Sequence, residues 1–242
     1  MKHFGLIGLD LKHSFSVSFF EEKFKRASIH DASYQNYELS DVSSFIDLIK
    51  NESFSGINVT IPYKESIIPF LDFLSEEAKI IGAVNTIEFK EGKLIGHNTD
   101  HIGFHNSIKP FLDNTMDRAL ILGTGGASKA VIYALKKIGI DCLSVSRNPI
   151  GNQLSYNDLN EYVFKHHLLI VNTTPLGTSP TINECPEIPY KYISEKHLLV
   201  DLVYNPSETL FLKNASKQKA TTLNGKAMLI HQAEAAWKIW NS

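Results

Sequence analysis

Little in this chain ties it to an extracellular, membrane-bound or nucleic-acid setting. Its 242 residues include only two cysteines, Cys142 and Cys185, too few for a disulfide framework and not spaced as a C-x-x-C pair. Both are expected to be structural thiols in a reducing compartment. No apolar run approaches the length of a membrane span. Neither sign of charge dominates. The 24 lysines and arginines against 26 aspartates and glutamates leave a net charge of -2, which gives no footprint for nucleic acid or an anionic membrane. Low-complexity linkers and internal repeats are missing as well. Residues 1–8 begin directly on a strand pattern, without the h-region and cleavage site of a signal peptide, so a cytoplasmic protein is expected.

Hydrophobic residues make up 43% of the chain and charged residues 21%. With this length, that balance suits one large or two modest globular domains. The most informative stretch is Ala119-Leu120-Ile121-Leu122-Gly123-Thr124-Gly125-Gly126-Ala127-Ser128-Lys129-Ala130-Val131. A short apolar run reads as a buried strand, the glycines as a tight turn, and residues 127–138 as a helix closed by Gly139. A second strand over 141–146 completes a mononucleotide-binding βαβ unit. Glycines let backbone N–H groups approach a diphosphate, and the positive helix N-terminus stabilises it. Ser128 stands where the third glycine of G-x-G-x-x-G would fall, and a glycine-rich turn is often only a turn.

The first hundred residues alternate strands with helices. Strands are predicted at 4–7, 34–39, 56–60 and 83–89, the last forming a hairpin with 93–95 across Glu91-Gly92. Helices are predicted at 18–27, after a cap at Asp41, at 65–73 and at 76–80. The alternation implies an α/β layer, largely parallel, with the hairpin at an edge. Beyond a helix at 101–112 and the βαβ unit come strands at 168–171, 198–203 and 221–223. The closing helix, 226–240, carries Leu229, Ile230, Ala233, Trp237 and Trp240 on one face. Periodicity does not decide which part of the chain that face packs on.

Polar clusters interrupt the first part at strand ends, where open α/β sheets bind ligands. His13-Ser14-Phe15-Ser16 offers hydroxyls for a small anion, or a helix cap. Asn58-Val59-Thr60-Ile61-Pro62-Tyr63-Lys64 places alternating polar side chains on one strand face with a lysine beyond, or is a half-buried edge strand with a solvated lysine. Gly82-Ala83-Val84-Asn85-Thr86 brings an amide into an apolar stretch, and Gly96-His97-Asn98-Thr99-Asp100 ends on a carboxylate that equally suits an N-cap. A lysine and an aspartate at strand ends, beside a nucleotide-binding unit, suit the oxidation of an alcohol. Loss of a hydride from carbon must be matched by loss of the hydroxyl proton.

These clusters, together with Asp201-Leu202-Val203-Tyr204-Asn205-Pro206 and Gln232-Ala233, span nearly the whole chain in the order of one family. The chain resembles the shikimate dehydrogenases, NADP-linked enzymes that interconvert 3-dehydroshikimate and shikimate on the route to chorismate and the aromatic amino acids. The resemblance implies two α/β domains closing over a cleft. Residues 1–100 plus 226–242 would form the substrate-binding domain, and residues 101–225 a Rossmann-like NADP-binding domain. It also implies Lys64 and Asp100 as the catalytic pair. Ser14, Ser16 and Tyr204 would hold the substrate carboxylate; Thr60, Asn85, Asp100 and Gln232 would bond the ring hydroxyls; Asn58 would support its strand. The cofactor set would be Gly123, Gly125, Gly126, Ala127, Ser128, Ser146, Arg147, Asn172, Thr173, Thr174, Gly225 and Met228, with no metal. The expected partners are small molecules, without nucleic acid or membrane, for a monomer or homodimer. A quinate/shikimate dehydrogenase with relaxed NAD/NADP use is the alternative within the enzyme class. From another class, the alternative is a non-catalytic shikimate or nucleotide sensor, which would have no need of a proton-transfer pair.

NADP rather than NAD is expected, because the strand after the glycine turn ends Ser146-Arg147-Asn148 and the next acid is Asp158. A carboxylate there would repel a 2′-phosphate, whereas a guanidinium binds one bidentately. The family pattern has a second basic residue shortly afterwards; this chain has none, so a weaker NADP preference is expected. Asn172-Thr173-Thr174-Pro175 and Met228 would lie near the nicotinamide, or form a plain turn and a core methionine. His97, His101 and His105 recur every four residues, but no acidic third ligand is spaced for them, and solvated or helix-packing roles are expected.

Overall fold

The structure, a computed structural model, describes residues 1–12 and 14–242, so His13 of the serine cluster lies outside the described residues. The chain divides into two compact units, 1–99 with 232–242 and 100–231.

The first unit is built on a six-stranded sheet. Its strands are β1 (Lys2–Gly8), β2 (Ala32–Glu38), β3 (Gly56–Val59), β4 (Phe73–Leu74), β5 (Thr86–Lys90) and β6 (Lys93–His97). They run in the order β2-β1-β3-β5-β6-β4. β1 pairs in parallel with β2 and β3, and the β5–β6 hairpin joins β3 antiparallel. β1 reads as a nearly continuous apolar run because both of its faces are covered. On one face, α1 (Ser16–Arg26) inserts Phe20 and Phe24 among Phe4, Tyr34, Ala233, Ala236 and Trp240. Phe4 and Trp240 stack with centroids 4.9 Å apart, and the Trp240 indole donates to the Ile87 carbonyl at 3.0 Å. On the other face, α2 (Ser44–Asn51) and α3 (Glu76–Ile81) bring Phe45 and Ala78 onto Ile7, Ile57, Val59 and Ile87.

Several local expectations change. Residues 65–73 are turns and a 3₁₀ segment, Ile68–Phe70, rather than an α-helix. Pro69 lacks the N–H that a continuing helix needs, and Asp72 instead accepts from the Leu94 N–H at 2.9 Å, starting β4. β4 then pairs in parallel with β6, so the hairpin lies one place in from the edge instead of at it. Asp41 caps a turn ahead of α2, its carboxylate accepting from the Ser43 hydroxyl at 2.5 Å and the Ser43 N–H at 2.8 Å. These bonds hold its pKa below the usual carboxylate value.

The second unit holds five parallel strands, β7 (Arg118–Leu122), β8 (Asp141–Val145), β9 (Leu169–Asn172), β10 (Leu198–Asp201) and β11 (Thr221–Leu223), in the order β11-β10-β9-β7-β8. α4 (Asp100–Ile108), α5 (Gly126–Lys137) and the start of α8 (Lys226–Ile239) cover one face, burying Phe104, Ile108, Val131, Leu135 and Met228 against Ile121, Val171 and Val200. α6 (Glu161–His166) and α7 (Leu210–Lys217) cover the other, where Phe164, Phe211 and Leu212 meet Leu120, Leu122, Ile170 and Leu199. The strand order reverses between β7 and β9, the topological switch point at which open parallel sheets bind ligands beyond their carboxyl ends. After β8 the chain turns through residues 146–153 without a helix, and Leu154 bridges back onto Val145 in parallel. Among the described residues no helix is long and apolar enough to cross a membrane.

Candidate active site

In the first unit, the carboxyl ends of β1 and β3 and the start of β5 carry a buried polar network. Asn58, on β3, donates to the Asn85 carbonyl and to Thr86 Oγ1, both at 3.1 Å, and accepts from the Tyr34 hydroxyl at 2.8 Å. Asn85 accepts from the Thr99 N–H at 2.6 Å and donates to Thr99 Oγ1 at 2.9 Å and Gln232 Oε1 at 3.2 Å. Thr99 Oγ1 also lies 3.4 Å from Gln232 Oε1. Asn58, Asn85, Thr86, Thr99 and Gln232 are all buried; Asp100, also buried, opens α4 of the second unit. Burying so many amides and hydroxyls away from water costs free energy unless each is bonded, so the network fixes side-chain orientations.

Lys64 follows β3 after a turn in which the Tyr63 N–H bonds the Thr60 carbonyl at 2.9 Å. The Tyr63 hydroxyl is anchored on the Leu39 carbonyl at 2.5 Å. The Lys64 carbonyl accepts from the Val84 N–H at 2.7 Å, which sets its backbone beside the residue preceding Asn85. Thr60 and Lys64 are both half-buried. The serine cluster divides. α1 starts at Ser16 with Phe15 in the cap position and no side-chain cap, while the half-buried Ser14 accepts from the Ser16 N–H at 3.2 Å. Ser14 Oγ is thus turned toward the first residue of α1 without capping the helix, and Ser16 is buried with its hydroxyl bonded to Tyr34. Tyr34, stacked on Phe20 at 4.3 Å, has its hydroxyl pKa pushed up by burial and eased down by Ser16.

The second unit holds the glycine turn at the switch point. Gly123 adopts φ +112, and a Cβ there would lie 2.7 Å from Thr173 Oγ1, so neither the conformation nor the space admits a side chain. Gly125, the N-cap of α5, is extended, with φ -78 and ψ -175, and a Cβ on it would meet nothing within 4 Å. The first N–H groups of α5 (Gly126, Ala127 and Ser128) have no intrahelical acceptor by geometry, while Ser128 Oγ donates to the Gly125 carbonyl at 2.8 Å. Open room above a helix N-terminus is what a diphosphate requires. Beyond β8, Ser146 Oγ accepts from the Asn148 N–H at 3.2 Å and Arg147 is exposed. Half-buried Tyr156 lies near it; burial raises its pKa and the Arg147 charge lowers it.

Beyond β9, Thr173 bonds the Leu122 carbonyl through N–H at 2.9 Å and Oγ1 at 2.7 Å, clamping the loop to the end of β7. Asn172 accepts from Thr174 N–H at 3.0 Å and Oγ1 at 2.7 Å. Gly225 precedes α8 and donates to the Val203 carbonyl at 3.1 Å; a Cβ there would be 2.0 Å from the Leu202 oxygen. Met228 is buried in the core with Phe104 and Ile108. Half-buried Tyr204 follows β10. The histidine series separates: His97 bonds Glu88 at 3.0 Å, and His101 packs edge-on against Tyr133.

Sequence reasoning passed over four buried polar residues. Tyr34, Thr86 and Thr99 complete the amide network, and Asp201 closes β10. Thr86, Thr99 and Asp201 stood inside the polar clusters, where their burial was the missing signal.

Comparisons with known proteins follow the same lines. The family model described as the shikimate dehydrogenase substrate binding domain matches residues 6–87. A shikimate dehydrogenase (NADP(+)) from Carboxydothermus hydrogenoformans is 38% identical over 98% of this chain and 90% of its own length. The crystal structure of shikimate dehydrogenase from Aquifex aeolicus superposes with a TM-score of 0.89 at 37% identity, covering 100% of this chain and 92% of that one. The Thermus thermophilus shikimate 5-dehydrogenase, solved in complex with NADP(H) and shikimate, gives a TM-score of 0.89 at 30% identity over 99% of this chain and 93% of the other.

Proposed function

The chain belongs to the shikimate dehydrogenase family, and from that premise we propose that it reversibly reduces 3-dehydroshikimate to shikimate with NADPH in the cytoplasm, as a monomer or homodimer. The carrying observation is the Lys64 backbone bonded at 2.7 Å to Val84, beside the buried Asn58–Asn85–Gln232 network. The first unit is the substrate domain and the second the cofactor domain.

The residues present fit the cofactor. Gly123, Gly125, Gly126, Ala127 and Ser128 would hold its diphosphate, Ser146 and Arg147 its 2′-phosphate, and Asn172, Thr173, Thr174, Gly225 and Met228 its nicotinamide end. The bound nicotinamide supplies or takes the hydride. Ser14, Ser16 and Tyr204 hold the substrate carboxylate, with Asn58 supporting the strand behind them. Thr60, Asn85 and Gln232 accept or donate to the ring hydroxyls, with geometry preset by the buried network. The Lys64 ammonium donates a proton to the carbonyl oxygen as that oxygen takes up negative charge, and in the oxidative direction the neutral amine takes the hydroxyl proton. Asp100 orients the neighbouring hydroxyl of the substrate for this proton transfer.

The test is nicotinamide reduction at mildly alkaline pH with shikimate or quinate, and with NADP⁺ or NAD⁺. Turnover of shikimate with NADP⁺ is expected. Equal rates with quinate or NAD⁺ would move the assignment to the broader quinate/shikimate class, and no turnover would sink it. Lys64→Ala should lower kcat about a hundredfold or more while changing the shikimate KM far less. A near-normal kcat would remove Lys64 from the mechanism.

A further inference from the structure

The mechanism leaves one fully buried carboxylate unused. Asp201, with no exposed surface at the end of β10, is reached by donors from three directions. One of its oxygens accepts from Asn172 Nδ2 at 2.9 Å and the Val203 N–H at 3.0 Å; the other accepts from Thr209 Oγ1 at 2.5 Å. None of these partners is a cation: among the described residues, the donors bonded to this carboxylate are neutral. That arrangement is costly unless every bond is made.

The bonds have a direction. An asparagine amide can face either way, but against a carboxylate only its NH₂ end is favourable. Asp201 therefore turns Asn172 so that its Oδ1 points to Thr174, whose N–H and hydroxyl it accepts at 3.0 and 2.7 Å. The same carboxylate pins the backbone at Val203, next to Tyr204, and the hydroxyl of Thr209, which caps α7 by accepting from the Leu212 N–H at 3.3 Å. One side chain thus sets both the turn after β9 and the segment 203–209 after β10.

We propose that Asp201 is a positioning residue for this reaction, holding the Asn172–Thr174 turn in shape for the nicotinamide end of the cofactor and the Val203–Thr209 segment in shape for Tyr204. It acts through these neighbours and touches neither ligand. The inference rests on the function proposed above.

Asp201→Asn keeps the shape and removes the fit. Its single oxygen cannot replace two, and its NH₂ group must face either the Asn172 amide or the Thr209 hydroxyl. A misplaced Asn172–Thr174 turn is expected to weaken NADPH binding about tenfold, which corresponds to about 1.4 kcal/mol. The experiment titrates NADPH by its fluorescence and measures both KM values for wild type and Asp201→Asn, well below the thermal midpoint of the variant. The expected result is about a tenfold or greater loss of NADPH affinity and a raised shikimate KM, with the far-ultraviolet dichroism unchanged. Wild-type affinity and KM values, with only a lower midpoint, would reduce Asp201 to a structural role and overturn the proposal. If Asp201→Asn does not fold, Thr209→Val and Thr209→Ser decide. The valine should raise the shikimate KM and the serine restore it, and a valine variant with both KM values normal overturns the proposal. The NADPH titration needs no turnover. A wild type that binds NADPH but leaves shikimate unoxidised would therefore sink the proposed function without touching this inference.

Discussion

At the scale of single residues, the glycine turn and Arg147 make separable predictions about the cofactor. Gly125 has an ordinary extended backbone and open space where its Cβ would stand. Gly125→Ala should therefore leave the unfolding free energy in urea within about 0.5 kcal/mol of wild type, yet weaken NADP⁺ and NAD⁺ alike if the diphosphate occupies that room. Arg147→Ala should weaken NADP⁺ alone. KM values for both cofactors on both variants test this. If Gly125→Ala spares both cofactors, the diphosphate does not sit there; if Arg147→Ala leaves the NADP⁺/NAD⁺ ratio unchanged, the 2′-phosphate is held elsewhere. As a candidate, Arg147 was readable, because an electrostatic requirement at one strand end restricts residue type; its role rests on these KM values. Tyr34 was not, because its role comes from Asn58, 24 positions away, and from stacking on Phe20. Nothing local to Tyr34 distinguishes it from any aromatic in a strand.

At the scale of elements, local rules succeeded where nothing tertiary competed with them. The β7–α5–β8 unit falls where its apolar run, glycines and Gly139 put it, and the hairpin turns at Glu91-Gly92. They failed at residues 65–73, where Ile67, Ile68, Phe70 and Leu71 mimic a helical stripe. There Pro69 and the pairing of Asp72 with Leu94 turn the segment toward the sheet. The final helix was readable as a helix but not in its destination, since it serves two cores: Met228 packs in the second unit, and Ala233 and Ala236 pack in the first. Its start is set by backbone contact. Gly225→Ala would drive a Cβ to 2.0 Å from the Leu202 carbonyl oxygen, and backbone cannot yield as a flexible side chain can. The expected cost is about 1–3 kcal/mol, of the order found on overpacking a core. It should read out as a lowered urea midpoint together with a raised KM for NADP⁺. A midpoint equal to wild type would mean that the Leu202 and Gly225 segments separate freely.

At the scale of the whole molecule, the alternation of strands and helices was enough to read an α/β architecture, and the order of the polar clusters along the chain was enough to read the family. What a linear pattern could not supply was the electrostatic state of the interior, which depends on which polar groups the fold removes from water. The second unit buries groups of opposite pH behaviour. Burial raises the Asp201 carboxyl from 3.8 to about 6 against the bonds of Thr209, Val203 and Asn172, which lower it. The folded state therefore binds its proton more tightly than the unfolded chain does. The ionised form costs about 3 kcal/mol at pH 7, and that cost disappears as pH falls from 6 toward 4. His197 and His167 behave oppositely. Burial lowers both below 6.5, and the backbone bonds of His197 with Phe164 and Ser194 only partly offset it. The unfolded chain takes up their protons first, so they destabilise the fold as pH falls below 6.5. The two effects oppose each other in wild type and separate in Asp201→Asn, which keeps the histidines and has no carboxyl to titrate. Urea unfolding followed by far-ultraviolet dichroism from pH 7 to 4.5 should show wild type gaining on Asp201→Asn by on the order of 2 kcal/mol as the medium is acidified. A gap between the two proteins that stays constant across this range would mean that Asp201 ionises as readily inside the fold as outside it, and that its neutral donors fully compensate the loss of water.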